Sequence, residues 1–299
     1  MMSGEPESRC LYLLPFGVPT LVIAEDPQLL AAATATYAYW RSEAPFADPT
    51  LEVRLEAGSA SSSGVCLDIK VEGSRLELAA EGAAGTADAA SGKAHALVAT
   101  SLAKDAHAFG EIMDTLLLFL LARSGRTPIH ASAFVLGDRV VLLAGRSGSG
   151  KSTLALAAAQ RGHKVLSDDM VFVEREPKLA VWGFPRPIHV FPEDAPPGKH
   201  ATRLRNGKRK AAVAIRATAS KAKEPMLVIL ERGIELSLSR IEAAAAVEAL
   251  MMLEPGFDLI PEESRAAADA LASHGAWRLT LNEDPRAAID FLASRLAAA

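Results

Sequence analysis

Apolar and polar residues alternate with a period of two over residues 51–55, 65–69 and 75–78, the pattern of half-buried strands. The turn residues of 58–64 and 72–74 separate these runs and predict an antiparallel meander. Ahead of them, the apolar stretch 11–24 is broken by Pro15, Gly17 and Pro19, which predicts a strand, a turn and a second strand. Residues 27–40 read as a helix with Pro27 in its first turn. Residues 81–93 are rich in Ala and Gly and poor in large apolar side chains, and they read as a loop. A helix is expected over 106–123, ended by Ser124 and a C-cap at Gly125.

The second half changes character. Residues 131–135 and 139–144 are apolar and β-prone, with Gly137 and Asp138 as the turn between them. A glycine-rich loop, a helix over 151–161 and a strand over 164–167 follow, which is the order of a βαβ unit. Further elements are a strand at 225–230, helices at 241–253 and 261–273, a strand at 277–281 and a helix at 285–296. No internal repeat is visible. The pattern predicts two domains, an α+β module over 1–104 and an α/β domain over 105–299. A chain of 299 residues agrees with that at about 100–200 residues per domain.

Composition narrows the class. Hydrophobic residues make up 49% and charged residues 23%, which excludes a wholly disordered or collagenous chain. A net charge of -4 argues against a general nucleic-acid coat, which needs a cationic excess. Cys10 and Cys66 are too few for a disulfide scaffold and suit a reducing compartment. The N-terminal residues lack a basic segment followed by an apolar one, so no signal peptide is read there. The most apolar run, 116–122, is far short of the roughly 20 residues of a membrane span. The expected location is the cytoplasm, without a membrane partner.

The strongest chemical signal is Gly145-Arg-Ser-Gly-Ser-Gly-Lys-Ser-Thr, which fits the phosphate-loop pattern G-x-x-x-x-G-K-[ST]. A strand precedes it and a helix follows, as the motif requires. Gly145, Ser147, Gly148, Ser149 and Gly150 would let the backbone curl its N–H groups around phosphates, aided by the helix N-terminus. Lys151 would reach the β- and γ-phosphates, and Ser152, next to Thr153, would offer a hydroxyl to Mg²⁺. Asp168 and Asp169 close the next predicted strand, at the end where parallel strands present ligands. His130 stands fifteen residues ahead of Gly145. A loop of this kind reads phosphates and not the base, so ATP, GTP and pyrophosphate are all compatible with it.

Taken together, 129–137, 145–153 and 162–169 resemble the catalytic core of HPr kinase/phosphorylase and its relatives, which share a nucleotide core with phosphoenolpyruvate carboxykinase. The likeness is close over 129–174 and weaker over 180–260. It implies an α/β fold, ATP and Mg²⁺ as cofactors, and phosphorylation of a serine on a protein or peptide. It implies Asp169 as the general base, Asp168 and Ser152 as magnesium ligands, and His130 at the phosphate end. Spacing alone does not say which aspartate takes which role. Where the bifunctional enzyme has a glycine-rich E-[IV]-R-G-x-G signature, this chain has 181–189 and a basic stretch over 199–210. It is therefore more similar to the stand-alone HPr-kinase-like proteins, which include kinases of lasso-peptide precursors. Some relatives form rings, which leaves a homo-oligomer open.

Nine Lys or Arg residues and no acid lie between Asp194 and Glu224. This stretch reads either as a solvated loop or as a mobile flap that supplies cations or docks an acidic peptide. It lacks interleaved aromatic residues, which speaks against single-stranded nucleic acid. Arg186 is a candidate for stabilising transferring charge. His163, His189 and His200 lack metal-ligand spacing, so no zinc site is expected. Competing readings are a small-molecule kinase and a nucleotide-binding sensor without catalysis. An ABC-type ATPase is disfavoured, because no LSGGQ-like signature follows the loop.

Overall fold

The structure is a computed structural model that describes residues 9–58, 67–184, 186–205, 208–215, 218–253 and 259–297. The fold is mixed α/β, built from four sheets in two units, Met1–Ser124 and Gly125–Ala299.

In the first unit the alternating runs form strands. They are β1 (Cys10–Leu13), β2 (Thr20–Ala24), β3 (Leu51–Ala57), β4 (Asp68–Glu72), β5 (Arg75–Ala80), β6 (Ala83–Asp88) and β7 (Lys93–Val98), ordered β1-β2-β3-β7-β6-β5-β4 in one sheet. Leu51, Val53 and Leu55 of β3 point to the buried face. Two helices cover that face. In α1 (Pro27–Thr36), Asp26 caps the N-terminus by accepting the N–H groups of Gln28 and Leu29 at 2.8 and 3.1 Å. In α2 (Ala106–Arg123), Phe109, Ile112, Met113, Leu116, Leu117 and Leu120 repeat at helical spacing and pack on β5, β6 and β7. Tyr37 Oη donates to Asp114 Oδ1 at 2.8 Å and ties the two helices together.

Three expectations change here. Residues 81–93 are not a loop, because β6 and the start of β7 occupy them. Their small side chains let α2 approach: a Cβ at Gly85 would lie 3.0 Å from the His95 carbonyl oxygen and 3.4 Å from Leu116 Cδ1. The helix over 27–40 stops at Thr36 and gives way to a short 3-10 turn at Ala38–Trp40. The division between units falls after Ser124 rather than after residue 104, because α2 buries its apolar face against the first sheet. Of the expected strand over 65–69, residues 65 and 66 lie outside the described residues, as does the connector 59–64.

The second unit begins with β8 (Thr127–Ile129), β9 (Ser132–Leu136) and β10 (Arg139–Ala144), followed by α3 (Lys151–Gln160) and β11 (Val165–Ser167). Next come β12 (Val171–Glu174), β13 (Ala180–Trp182), β14 (Ile188–Val190), β15 (Ala201–Arg205), β16 (Lys208–Val213) and β17 (Lys221–Lys223). The chain ends through β18 (Pro225–Arg232), β19 (Ser237–Ile241), α4 (Ala243–Met252), α5 (Pro261–Ser273), β20 (Ala276–Leu281) and α6 (Pro285–Ala297). The main sheet has the order β11-β9-β10-β18-β20-β19, with β10, β18 and β20 mutually parallel. Both faces of β10 are covered, hence its unbroken apolar sequence. Val141 and Leu143 pack towards α3 and α6, whereas Val140, Leu142 and Ala144 pack towards α4 and α5. The expected βαβ unit is interrupted: β9 lies between β10 and β11 and runs antiparallel to both. The basic stretch is not a loop either, because β15 and β16 form a ribbon paired to β14. Among the described residues no helix is long and apolar enough to cross a membrane.

A second sheet, β17-β13-β12-β8, is held by one buried carboxylate. Glu174 receives Arg126 at 2.9 Å, Lys221 at 2.5 Å and the Trp182 indole N–H at 2.8 Å, joining β12, β13 and β17 with the residue that leads into β8. Burial pushes the Glu174 carboxyl up, but the hydrogen bonds from Lys221 and Trp182 and the charge of Arg126 outweigh it. The group is held below its ordinary value of 4.5. The stability it contributes is therefore complete above that value and is lost as the pH falls through the lowered one.

Two predictions follow from this packing, both read by urea denaturation. Glu174→Gln costs about 3 kcal/mol at neutral pH, and its deficit against the native protein shrinks as the pH drops below 4.5. Gly85→Leu costs the first unit about 1–3 kcal/mol, through overpacking beneath α2.

Candidate active site

The glycine-rich loop leaves the C-terminal end of β10 and enters α3. Gly145 cannot carry a side chain, since a Cβ there would lie 2.6 Å from Ser149 Oγ and 3.1 Å from Leu230 Cβ. Gly150, the residue before the helix, has φ +106°, which strains any other residue. Between them the Ser149 N–H donates to the Arg146 carbonyl at 3.0 Å and closes the turn, with Ser147 and Gly148 exposed at its tip. Lys151 is the first residue of α3 and is only 7% exposed, and its Nζ turns back to the Gly145 carbonyl at 2.5 Å. The lysine charge thus sits inside the loop. Ser149 Oγ is buried there without a hydrogen-bond partner among the described residues. A buried polar atom of this kind suits an incoming acceptor such as a phosphate oxygen.

Strand pairing brings the other candidates together. Ile129 of β8 faces Val171 of β12, so His130 and Asp169 lie just beyond the same end of that pair. His130 Nδ1 is 3.6 Å from Asp169 Oδ1, and both side chains are about one-third exposed. Ser167 Oγ accepts the N–H groups of Asp169 and Met170 at 3.4 and 3.3 Å and shapes the bend that presents Asp169.

Asp168 has the opposite environment and is 5% exposed. Its Oδ2 accepts the His189 backbone N–H of β14 at 2.8 Å, and His189 Nδ1 lies 3.9 Å from the same oxygen. Its main-chain oxygen accepts Ser132 Oγ of β9 at 2.6 Å and Ser152 Oγ of α3 at 3.4 Å. The two aspartates therefore differ: one is a half-buried carboxylate beside a histidine, the other a buried carboxylate beside the loop serine. Thr153 Oγ1 faces Asp194 Oδ2 at 3.5 Å instead of the loop interior. Arg186 is exposed and stacks on Phe184 with its Cζ 3.8 Å from the ring centroid. It lies between Gly183, which abuts the Leu166 backbone, and the Asp168-bound β14.

Sequence reasoning missed Ser132, Ser167 and His189. Ser132 and Ser167 fall within the stretches that carry the family resemblance, but their partners are main-chain groups that no spacing announces. His189 meets Asp168 chiefly through its backbone, which leaves no mark on residue type. Among the described residues no three His, Cys, Asp or Glu side chains gather as a metal site. A magnesium ion arriving with a polyphosphate needs only one or two protein oxygens, and Ser152 and Asp168 fit that demand.

No protein-family model matches the chain. Among curated proteins, it is 36% identical over 63 residues to the HPr kinase/phosphorylase of Streptococcus gordonii, covering 21% of this chain and 20% of that one. The enzymes of the same name from Streptococcus sanguinis and Streptococcus pneumoniae are 35% identical over 63 residues. The matched segment thus spans about a fifth of the length of these relatives. Among solved structures, the HPr(Ser) kinase/phosphatase from Coxiella burnetii aligns at 14% identity and a TM-score of 0.32, over 57% of this chain and 96% of that one. Over that shared segment, the chain is similar to HPr kinase/phosphorylases.

Proposed function

We propose that the protein transfers the γ-phosphoryl group of ATP to a serine hydroxyl on a protein or peptide. One arrangement supports this reading: a lysine-bearing glycine loop at the end of β10, with the Asp168–Asp169 pair at the end of β11 beside it. The loop N–H groups and Lys151 would hold the phosphates, with Ser149 Oγ donating to them. Bound by Ser152 and Asp168, Mg²⁺ would neutralise phosphate charge.

Asp169 is the more accessible member of the pair and acts as the base. It takes the seryl proton as the hydroxyl oxygen attacks the γ-phosphorus. The bond from that phosphorus to the β,γ-bridging oxygen breaks, and ADP leaves with the electron pair. His130 orients the Asp169 carboxylate. Arg186 would reach the transferring group by leaving Phe184, where its charge is already exposed.

The test is incubation with γ-labelled ATP and Mg²⁺ in an extract of the source cells. Label is expected in a protein or peptide band. Label confined to low-mass material sinks the protein-substrate reading, and bound ATP without transfer points to a sensor. Lys151→Met weakens ATP binding roughly tenfold or more, measured by calorimetry. Asp169→Asn keeps ATP affinity and lowers transfer by about a hundred- to ten-thousand-fold.

A further inference from the structure

We infer that Arg232, at the end of β18, is a second phosphate-contacting cation of the glycine loop. This rests on the phosphotransferase reading of that loop. Strand β18 runs parallel to β10, and its residues alternate between the two faces of the sheet. Leu230 faces the loop, its Cβ 3.1 Å from where a Cβ of Gly145 would be. Arg232 is two residues on and takes the same face: its Nη2 lies 3.2 Å from where a Cβ of Gly150 would be. Glu231, between them, points the other way and pairs with Arg278 at 3.0 Å.

The strand end that carries Arg232 is anchored. The Gly233 N–H donates to the Leu281 carbonyl at 2.9 Å, and Gly233 packs against Thr280 so closely that no side chain fits. The Arg232 guanidinium makes no ion pair or hydrogen bond with another described residue. A guanidinium at an anion-binding loop, uncommitted to any described carboxylate, has its fork available for phosphate oxygens. Lys151 supplies a point charge inside the loop, and Arg232 supplies a planar donor at its rim.

The experiment is calorimetric titration of ATP and of inorganic tripolyphosphate, each with Mg²⁺, into native protein, Arg232→Met, Arg232→Lys and Lys151→Met. Arg232→Met is expected to bind both ligands about tenfold more weakly, and Arg232→Lys about threefold more weakly. Ligand-free melting temperatures are expected to stay the same. Affinities of Arg232→Met within twofold of native overturn the inference. So does a loss for ATP without one for tripolyphosphate, since that contact would be to the nucleoside. If Arg232→Met melts early, Arg232→Lys decides, and unchanged affinity there overturns the inference. Loss of binding in Lys151→Met alone leaves the proposed function standing without Arg232. Native protein that binds neither ligand ends both readings.

Discussion

Asp168 is a polar junction among three elements of the second unit that also share one apolar core. Its main-chain oxygen accepts from Ser132 and Ser152, and its carboxylate accepts from the His189 backbone. Strand β9, helix α3 and strand β14 are all tied to one residue. A buried carboxylate is costly unless its oxygens are hydrogen-bonded, so the carboxylate that makes this junction also requires it. The consequence is positional. With Asp168 held, the chain turns at Ser167 and delivers Asp169 to the surface beside His130. Adjacent residues of one type thereby acquire different surroundings.

The glycine loop depends on a second constraint, crowding at its base. Leu230 and Ser149 fill the space around Gly145, and Lys151 folds back over the Gly145 carbonyl. The loop is thus shaped by the packing of β18 as well as by its own glycines. The same strand carries the buried residues that close both layers of the core, Leu227 and Ile229 on one side and Val228 and Leu230 on the other. Core packing and site geometry are therefore coupled along β18, and the cation of Arg232 is set by the continuation of that alternation.

Legibility varied with how local the signal was. The helices over 106–123, 261–273 and 285–296 could be read because apolar spacing, a capping residue or an initial proline all lie within the helix or at its ends. The glycine loop was legible for the same reason. Strands β6 and β7 were hidden, because their small residues answer to the helix packed above them and imitate a loop. The basic ribbon was hidden too: in β16 only Ala211 and Val213 near its end are buried, so no alternation runs along its charged part.

By itself the sequence determined the α/β class, the loop with Lys151 and Ser152, the aspartate pair and the resemblance that links them with His130. Each is a matter of residue type at short separation, where backbone geometry follows from a few neighbours. Only the tertiary structure decided that β9 separates β10 from β11, that Asp168 is buried while Asp169 is only half-buried, and that His189 and Arg232 lie beside them. Those outcomes depend on which strands pair and which main-chain groups find partners, and main-chain hydrogen bonds are available to almost every residue type.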